Sequence, residues 1–276
     1  MLNNIGRLDT EAKKEISSLL EKIFKLLDEN KKDKAEKKIL SLAKTPNYFI
    51  REFVGAGLLN YSDQRKIVPI AKKMLKHKIY GIRATAFFYL YNRYLDDSKK
   101  ILNLIDECAE SIPWEVESII NEMWKQYPDL MKEKMKSWIE TGNEKKRALS
   151  FHGMENIAQS DPNFIMNFVS KAIDDDTLEV QKKITHILTQ VARANPMIVF
   201  PYIREWLLDA DEKRIKTIWV SMKKLANIVV QKNKKNKSYD FVLLTGQTIN
   251  DWKNDENEIV ATMGKKLSRI INRKIY

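Results

Sequence analysis

The chain has 276 residues, enough for one large domain or two smaller ones, and only 8 Gly and 7 Pro, too little punctuation for a hairpin-rich β fold. A hydrophobic share of 43% with 31% charged residues suits amphipathic helices and excludes wholesale disorder, while the single Cys108 excludes an internal disulfide framework or a multi-cysteine metal site. The formal net charge of +12 favours a polyanionic partner, duplex nucleic acid or an anionic membrane face, although abundant Lys and Asn from an AT-rich genome would give the same surplus.

Met1 to Asp9 lacks the apolar segment of a secretory signal, and nothing approaches the ~20 consecutive apolar residues of a membrane span. The expected setting is therefore cytoplasmic and reducing, with no membrane partner. Thr10 is the expected cap of a helix over 10–29, whose apolar positions are Ile16, Leu19, Leu20, Ile23, Phe24 and Leu27. Further helices are predicted over 33–44, 47–60, 63–77, 79–95, 97–110 and 114–126. Thr45 before Pro46, and Ser62 or Asp63 before Gln64, are the starting signals. Gly55-Ala56-Gly57 lies inside an apolar helix and lets neighbours pack closely; it is not a phosphate loop. Cys108 continues the pattern of Ile101, Leu104 and Ile105 and reads as a small buried hydrophobe.

A repeat follows. Pro128, Pro162 and Pro196 are spaced by 34 residues each, at positions where a first helical residue needs no N–H. Two residues on come Leu130, Phe164 and Ile198; seven on, Met135, Val169 and Ile203. Ten on come Trp138, Ala172 and Trp206; eleven on, Ile139, Ile173 and Leu207. At about 100° per residue the last three offsets share one stripe and the first lies further round. Polar turns (Thr141-Gly142-Asn143, Asp174-Asp175-Asp176, Asp209-Ala210-Asp211) lead into second helices, which carry Ala148 to Phe151, Ile184 and Ile187, and Ile215 to Val220. Helix–turn–helix units of this period predict an all-α, HEAT-like α-solenoid of stacked antiparallel helix pairs. The predicted organisation is a repeat domain over 1–230, a lysine-rich loop over 231–238 and a helical extension over 239–276 packed on the same domain. The extension holds helices near 239–252 and 256–273.

In such a stack one helix of each pair lines a groove. Cations recur where those helices start: Lys145, Lys146 and Arg147, then Lys182 and Lys183, then Lys213, Arg214 and Lys216. Helix N-termini offer backbone N–H groups to phosphates as well. A solvated lysine face, and for Arg147 an ion pair with Glu144, are the competing readings. His77, His152 and His186 have no ligand spacing, so no metal and no cofactor are expected. Trp114, Trp124, Trp138, Trp206 and Trp219 sit at helical spacing, where a tryptophan is more often core than groove.

Six stretches carry a resemblance: Pro113-Trp114-Glu115-Val116-Glu117-Ser118-Ile119, Lys136-Ser137-Trp138-Ile139, Lys146-Arg147-Ala148, Gln181-Lys182-Lys183-Ile184, Ala192-Arg193-Ala194-Asn195-Pro196 and Lys213-Arg214. In their order and spacing, from about residue 47 to 225, the chain resembles the AlkD-type DNA alkylation repair family, HEAT-like glycosylases that excise alkylated purines. The resemblance implies a concave groove that cradles double-stranded DNA; the chain is expected to be a monomer. Glu117 stands where the family has its catalytic aspartate, and Arg147 where it has a cleft arginine. Trp114, Lys146, Lys182, His186, Lys213 and Arg214 complete the implied DNA-contacting set; His186 reads as a satisfied polar residue or a phosphate contact, not a catalytic base. Four departures accompany it: Pro113 occupies the place of a family tryptophan, with Trp114 one residue later; His186 replaces a second tryptophan, Thr189 an arginine, and Glu117 an aspartate. Two functions therefore stand open, excision of cationic N3- or N7-alkylpurines, or a non-catalytic homologue that binds DNA structures or serves as a protein scaffold.

Overall fold

The computed structural model describes residues 6–235 and 239–272. Among these the chain is all-helical, as an α-solenoid of packed helices is: fifteen α-helices, two short 310 turns and no strand. No described helix is long and apolar enough to cross a membrane. The helices form two compact units, Met1–Ile119 and Ile120–Tyr276.

The first unit contains α1 (Thr10–Asp28), α2 (Lys32–Ala43), α3 (Tyr48–Gly57), α4 (Gln64–Leu75), α5 (Tyr80–Arg93), α6 (Ser98–Cys108) and the start of α7 (Pro113–Gln126). The cap of α1 is Asp9, which accepts from the Ala12 amide at 2.7 Å, so Thr10 is the first helical residue and not the cap. A carboxylate there gains from the positive end of the helix dipole, which a hydroxyl does not. Asn47 caps α3, and the Thr45 hydroxyl accepts from its amide at 3.1 Å, so Thr45 acts one step upstream of the helix it was expected to begin. Asp63 caps α4 as expected.

α5 is buried on almost every side from Gly81 to Leu90 and packs against α3, α4 and α6. Each fully buried ring such as Phe87 or Phe88 is worth roughly 1.5–3 kcal/mol over leaving it in water. Tyr89 is buried too, and its hydroxyl donates to Gln64 Oε1 at 2.6 Å, which satisfies the one polar atom it brings inside. Gly55 lets α3 and α5 meet backbone to backbone: a Cβ there would lie 2.7 Å from Phe88 Cβ and 2.8 Å from the Thr85 carbonyl oxygen. Cys108 is buried at the end of α6, and burial pushes its thiol up to about 12.

The second unit takes the rest of α7 with α8 (Pro128–Thr141), α9 (Glu144–Leu149), α10 (Pro162–Ser170), α11 (Leu178–Ala194), α12 (Pro196–Leu208), α13 (Glu212–Lys234), α14 (Asp240–Lys253) and α15 (Glu258–Asn272). The three repeat prolines open α8, α10 and α12. The residues seven, ten and eleven places after each are all buried, whereas Leu130, Phe164 and Ile198 remain partly exposed, as the helical phase requires. The repeat is uneven in its second helices. α9 stops after six residues, because Gly153 takes a left-handed φ of 77° and the Trp124 indole N–H donates to the His152 carbonyl at 2.9 Å. Ser150 and Phe151, expected inside that helix, lie beyond its end.

α13 runs through Gln231 to Lys234, where a loop was expected, since Val229 and Val230 are still buried and Lys and Gln are good helix formers. Lys235 follows as the cap of α13; residues 236–238 of that expected loop lie outside the described residues, as do 273–276. α14 and α15 pack on each other and on α12 and α13. Trp124, Trp138 and Trp206 are core residues, whereas Trp219 is only partly buried, beside α15.

Candidate nucleic-acid interface

The first turns of α7 sort their residues by face. Val116 and Ile119 point into the core with Ile112, while Trp114, Glu117 and Ser118 lie at i, i+3 and i+4 on the accessible side. Trp114 is 73% exposed, the largest value among the big hydrophobic side chains, and Glu117 is half-buried. An aromatic plate and a carboxylate therefore share one face. Tyr48 of α3 stands beside them: burial raises its hydroxyl, and the charges of Glu52 and Glu115 raise it further against an opposing hydrogen bond from Ser118. Glu52 faces solvent, yet lies against enough protein for desolvation to raise its carboxyl.

Behind that face, Glu115 is fully buried and both of its carboxylate oxygens are engaged. Arg51 Nη2 donates to Oε1 at 2.5 Å and the Tyr80 hydroxyl donates to Oε2 at 2.5 Å. Burial and then Glu115 push the Tyr80 hydroxyl well above its ordinary value. Arg51 and Arg83 also approach the Tyr80 ring, with guanidinium carbons 5.6 and 5.7 Å from its centroid. Their Nε atoms have no hydrogen-bond acceptor among the described residues, so the π cloud is the nearest compensation. Arg83 further donates to the Ser111 carbonyl at 3.1 Å, just ahead of α7. Charged residues from α3, α5 and α7 thus fix the turn that presents Trp114 and Glu117. Sequence reasoning missed this cluster. Its signal was a Glu and an Arg falling on apolar stripes, Glu115 with Ile112, Val116 and Ile119, and Arg51 with Ile50 and Val54.

In the second unit three of the implied phosphate contacts meet on the Asp174–Asp176 turn. Arg147 donates to Asp175 through Nε at 2.7 Å and Nη2 at 3.4 Å, and its third contact is the Gly142 carbonyl at 3.2 Å. The partner is Asp175 and not Glu144, the competing reading from sequence proximity. Arg214 grips Asp174 at 2.9 and 2.6 Å and reaches Asp209 at 3.0 Å. Lys213 donates to the Asp174 carbonyl at 2.5 Å and pairs with Asp176. Burial works to raise the Asp175 carboxyl, but the hydrogen bonds from Arg147 and Thr177 outweigh it and hold the group below its ordinary value. Arg214 lowers Asp174 in the same way.

The other implied contacts stand apart. Lys146 lies over the Trp138 ring at 5.8 Å, and Lys182 pairs with Glu179 at 2.8 Å on the exposed side of α11. His186 is half-buried, and Thr189 is a core residue whose hydroxyl donates to the Thr185 carbonyl at 2.8 Å. Among the described residues no group of three His, Cys, Asp or Glu side chains is placed to hold a metal ion.

A family model described as DNA alkylation repair enzyme matches residues 49–225, more than half of the chain. No curated protein matches it.

Proposed function

The chain belongs to the DNA alkylation repair enzyme family, and on that premise we propose that it binds alkylated duplex DNA and excises cationic N3- or N7-alkylpurines. The observation that carries this reading is the pairing of an exposed Trp114 with Glu117 on one accessible face of α7. An exposed tryptophan costs solvation free energy that a binding surface recovers when the ring meets a sugar or base. An N-alkylated purine already carries positive charge, so it leaves with the bonding electrons of its C1′–N bond and needs no general acid. Positive charge then grows on the deoxyribose, where the Glu117 carboxylate stabilises it. Water adds to C1′ and gives up its proton, leaving an abasic site and the free base. Pairing with Asp175 does not bar Arg147 from a DNA phosphate, which offers the same bidentate geometry in exchange.

The test is release of methylated purine from alkylated duplex. Wild type is expected to release it, and Glu117→Gln to cut the rate on the order of a hundredfold without weakening duplex binding. Release that is unchanged by Glu117→Gln ends the catalytic assignment.

A second reading rests on a different observation: Arg147, Lys213 and Arg214 already hold aspartates. A chain that spends these cations internally suits a non-catalytic homologue that binds DNA structures or protein partners. It predicts no release by wild type. If DNA is the partner, log K for duplex falls steeply with log salt; if a protein is, duplex binding is absent.

A further inference from the structure

From Gln64 to Leu95 the sequence holds eight Lys or Arg residues and no Asp or Glu, the most one-sided stretch of charge in the first unit. It supplies α4 and α5. A groove of about 630 Å³ runs there with α4 on one wall, α6 on the other, and Leu90 of α5 at its floor together with Tyr94 just beyond. None of its lining belongs to the Trp114–Glu117 face.

The charges can be followed one by one. Four lysines line the groove, and two of them are matched: Lys73 pairs with Glu36 at 2.5 Å, and Lys100 pairs with Asp97 at 2.8 Å while lying 5.6 Å from the Tyr94 ring centroid. Lys72 and Lys76 are exposed, and neither has a carboxylate within 4 Å among the described residues. They stand at i and i+4, where like charges repel each other. The carboxyl end of α4 favours cations and accounts for their presence there. It does not account for an apolar floor and an aromatic ring beside them. Glu107 is the one carboxylate in the lining. Lys72 and Lys76 together bring two positive charges, which match the roughly −1.5 to −2 of one phosphate monoester and fall short of what a duplex backbone demands. The volume lies within the range of small-molecule sites, and leucines with a tyrosine offer a planar base something to lie against.

We propose that this groove is a binding site for a mononucleotide unit, with the phosphate on Lys72 and Lys76 and the base over Tyr94 and the leucines. The unit has two sources, a free nucleoside monophosphate or the 5′-phosphorylated end of a nucleic acid strand. The site is independent of Glu117 and stands whether or not the chain is a glycosylase.

Calorimetric titration of the full chain tests it with four probes: AMP, adenosine, inorganic phosphate, and a short single-stranded oligonucleotide with or without a 5′-phosphate. AMP is expected to bind more tightly than either adenosine or phosphate. The double substitution Lys72→Glu/Lys76→Glu should abolish binding, and Tyr94→Ala should weaken it on the order of tenfold. All three positions face solvent or the groove, and circular dichroism checks that the variants stay folded. Competition of the phosphorylated oligonucleotide with AMP, lost without its phosphate, assigns the strand end as the source; AMP binding without such competition assigns the free nucleotide. No AMP binding at millimolar concentration, affinity unchanged by the double substitution, or phosphate binding as tightly as AMP overturns the proposal.

Discussion

In the first unit Arg51 and Tyr80 close on the fully buried Glu115, whereas in the second Arg147, Lys213 and Arg214 meet the Asp174–Asp176 turn within reach of solvent. The chemistry is nearly the same, carboxylates gripped by guanidinium and ammonium groups, but the dielectric is not. Glu115 and Arg51 are 0% and 5% exposed, whereas the Arg147–Asp175 pair is 27% and 10% exposed and the Arg214–Asp174 pair 23% and 50%. A dry pair is costly to assemble and very costly to break, because the survivor is left charged in a poor solvent. A wet pair is cheap in both directions. The first network therefore fixes a turn permanently, and the second can exchange its partners for an incoming anion.

The sharpest way to break this contrast is Glu115→Ala. It strands Arg51 and should cost about 3–5 kcal/mol in a urea titration. A loss below ~1 kcal/mol would mean that water reaches the pair. The double substitution Arg51→Met/Glu115→Leu removes both charges and should recover most of that loss, and with the single variants Arg51→Met and Glu115→Leu it closes a double-mutant cycle that reads the coupling energy. Asp175→Asn should cost less than Glu115→Ala, about 1–3 kcal/mol, since Asp175 is 10% exposed and accepts from both Arg147 and Thr177. The sign of its pH dependence follows from the direction of the shift. Asp174 and Asp175 are held below their ordinary value of 3.8, so their contribution is complete above that value and fades as pH falls through the lower, folded-state values. Wild type should accordingly lose more stability than Asp175→Asn between pH 5 and 3. Smallest of all, Trp114→Ala should change stability by less than about 0.5 kcal/mol while reducing duplex affinity, because its ring is packed against little.

Periodicity made most of the helices legible, and the 34-residue proline frame made the repeat legible, because burial in a helical stack depends on phase. What escaped it were choices between near-equal local options. Asp9 and Thr10 are both good caps, and only the fold decides which is used. Gly153 and its neighbour Trp124 ended α9 early through a contact with no local signature. Polar residues do not announce a helix end, which is why α13 continues through Gln231 to Lys234. The candidate site was half visible. Glu117 and Trp114 came from the resemblance, but the charges behind them were hidden, since a Glu on an apolar stripe reads as an ordinary surface residue until Arg51 and Tyr80 are brought to it. The counter-ions of Arg147, Lys213 and Arg214 were hidden for a related reason: the Asp174–Asp176 turn is 28 residues or more from each arginine it holds.

The lone thiol at the end of α6 offers a clock. Because Cys108 is walled in and its proton is held tightly, an added alkylating reagent can reach it only during the moments when that helix lifts away. The ratio of the labelling rate in buffer to that of a free cysteine then reads out how often the first unit breathes there, from one atom and with no probe engineered in.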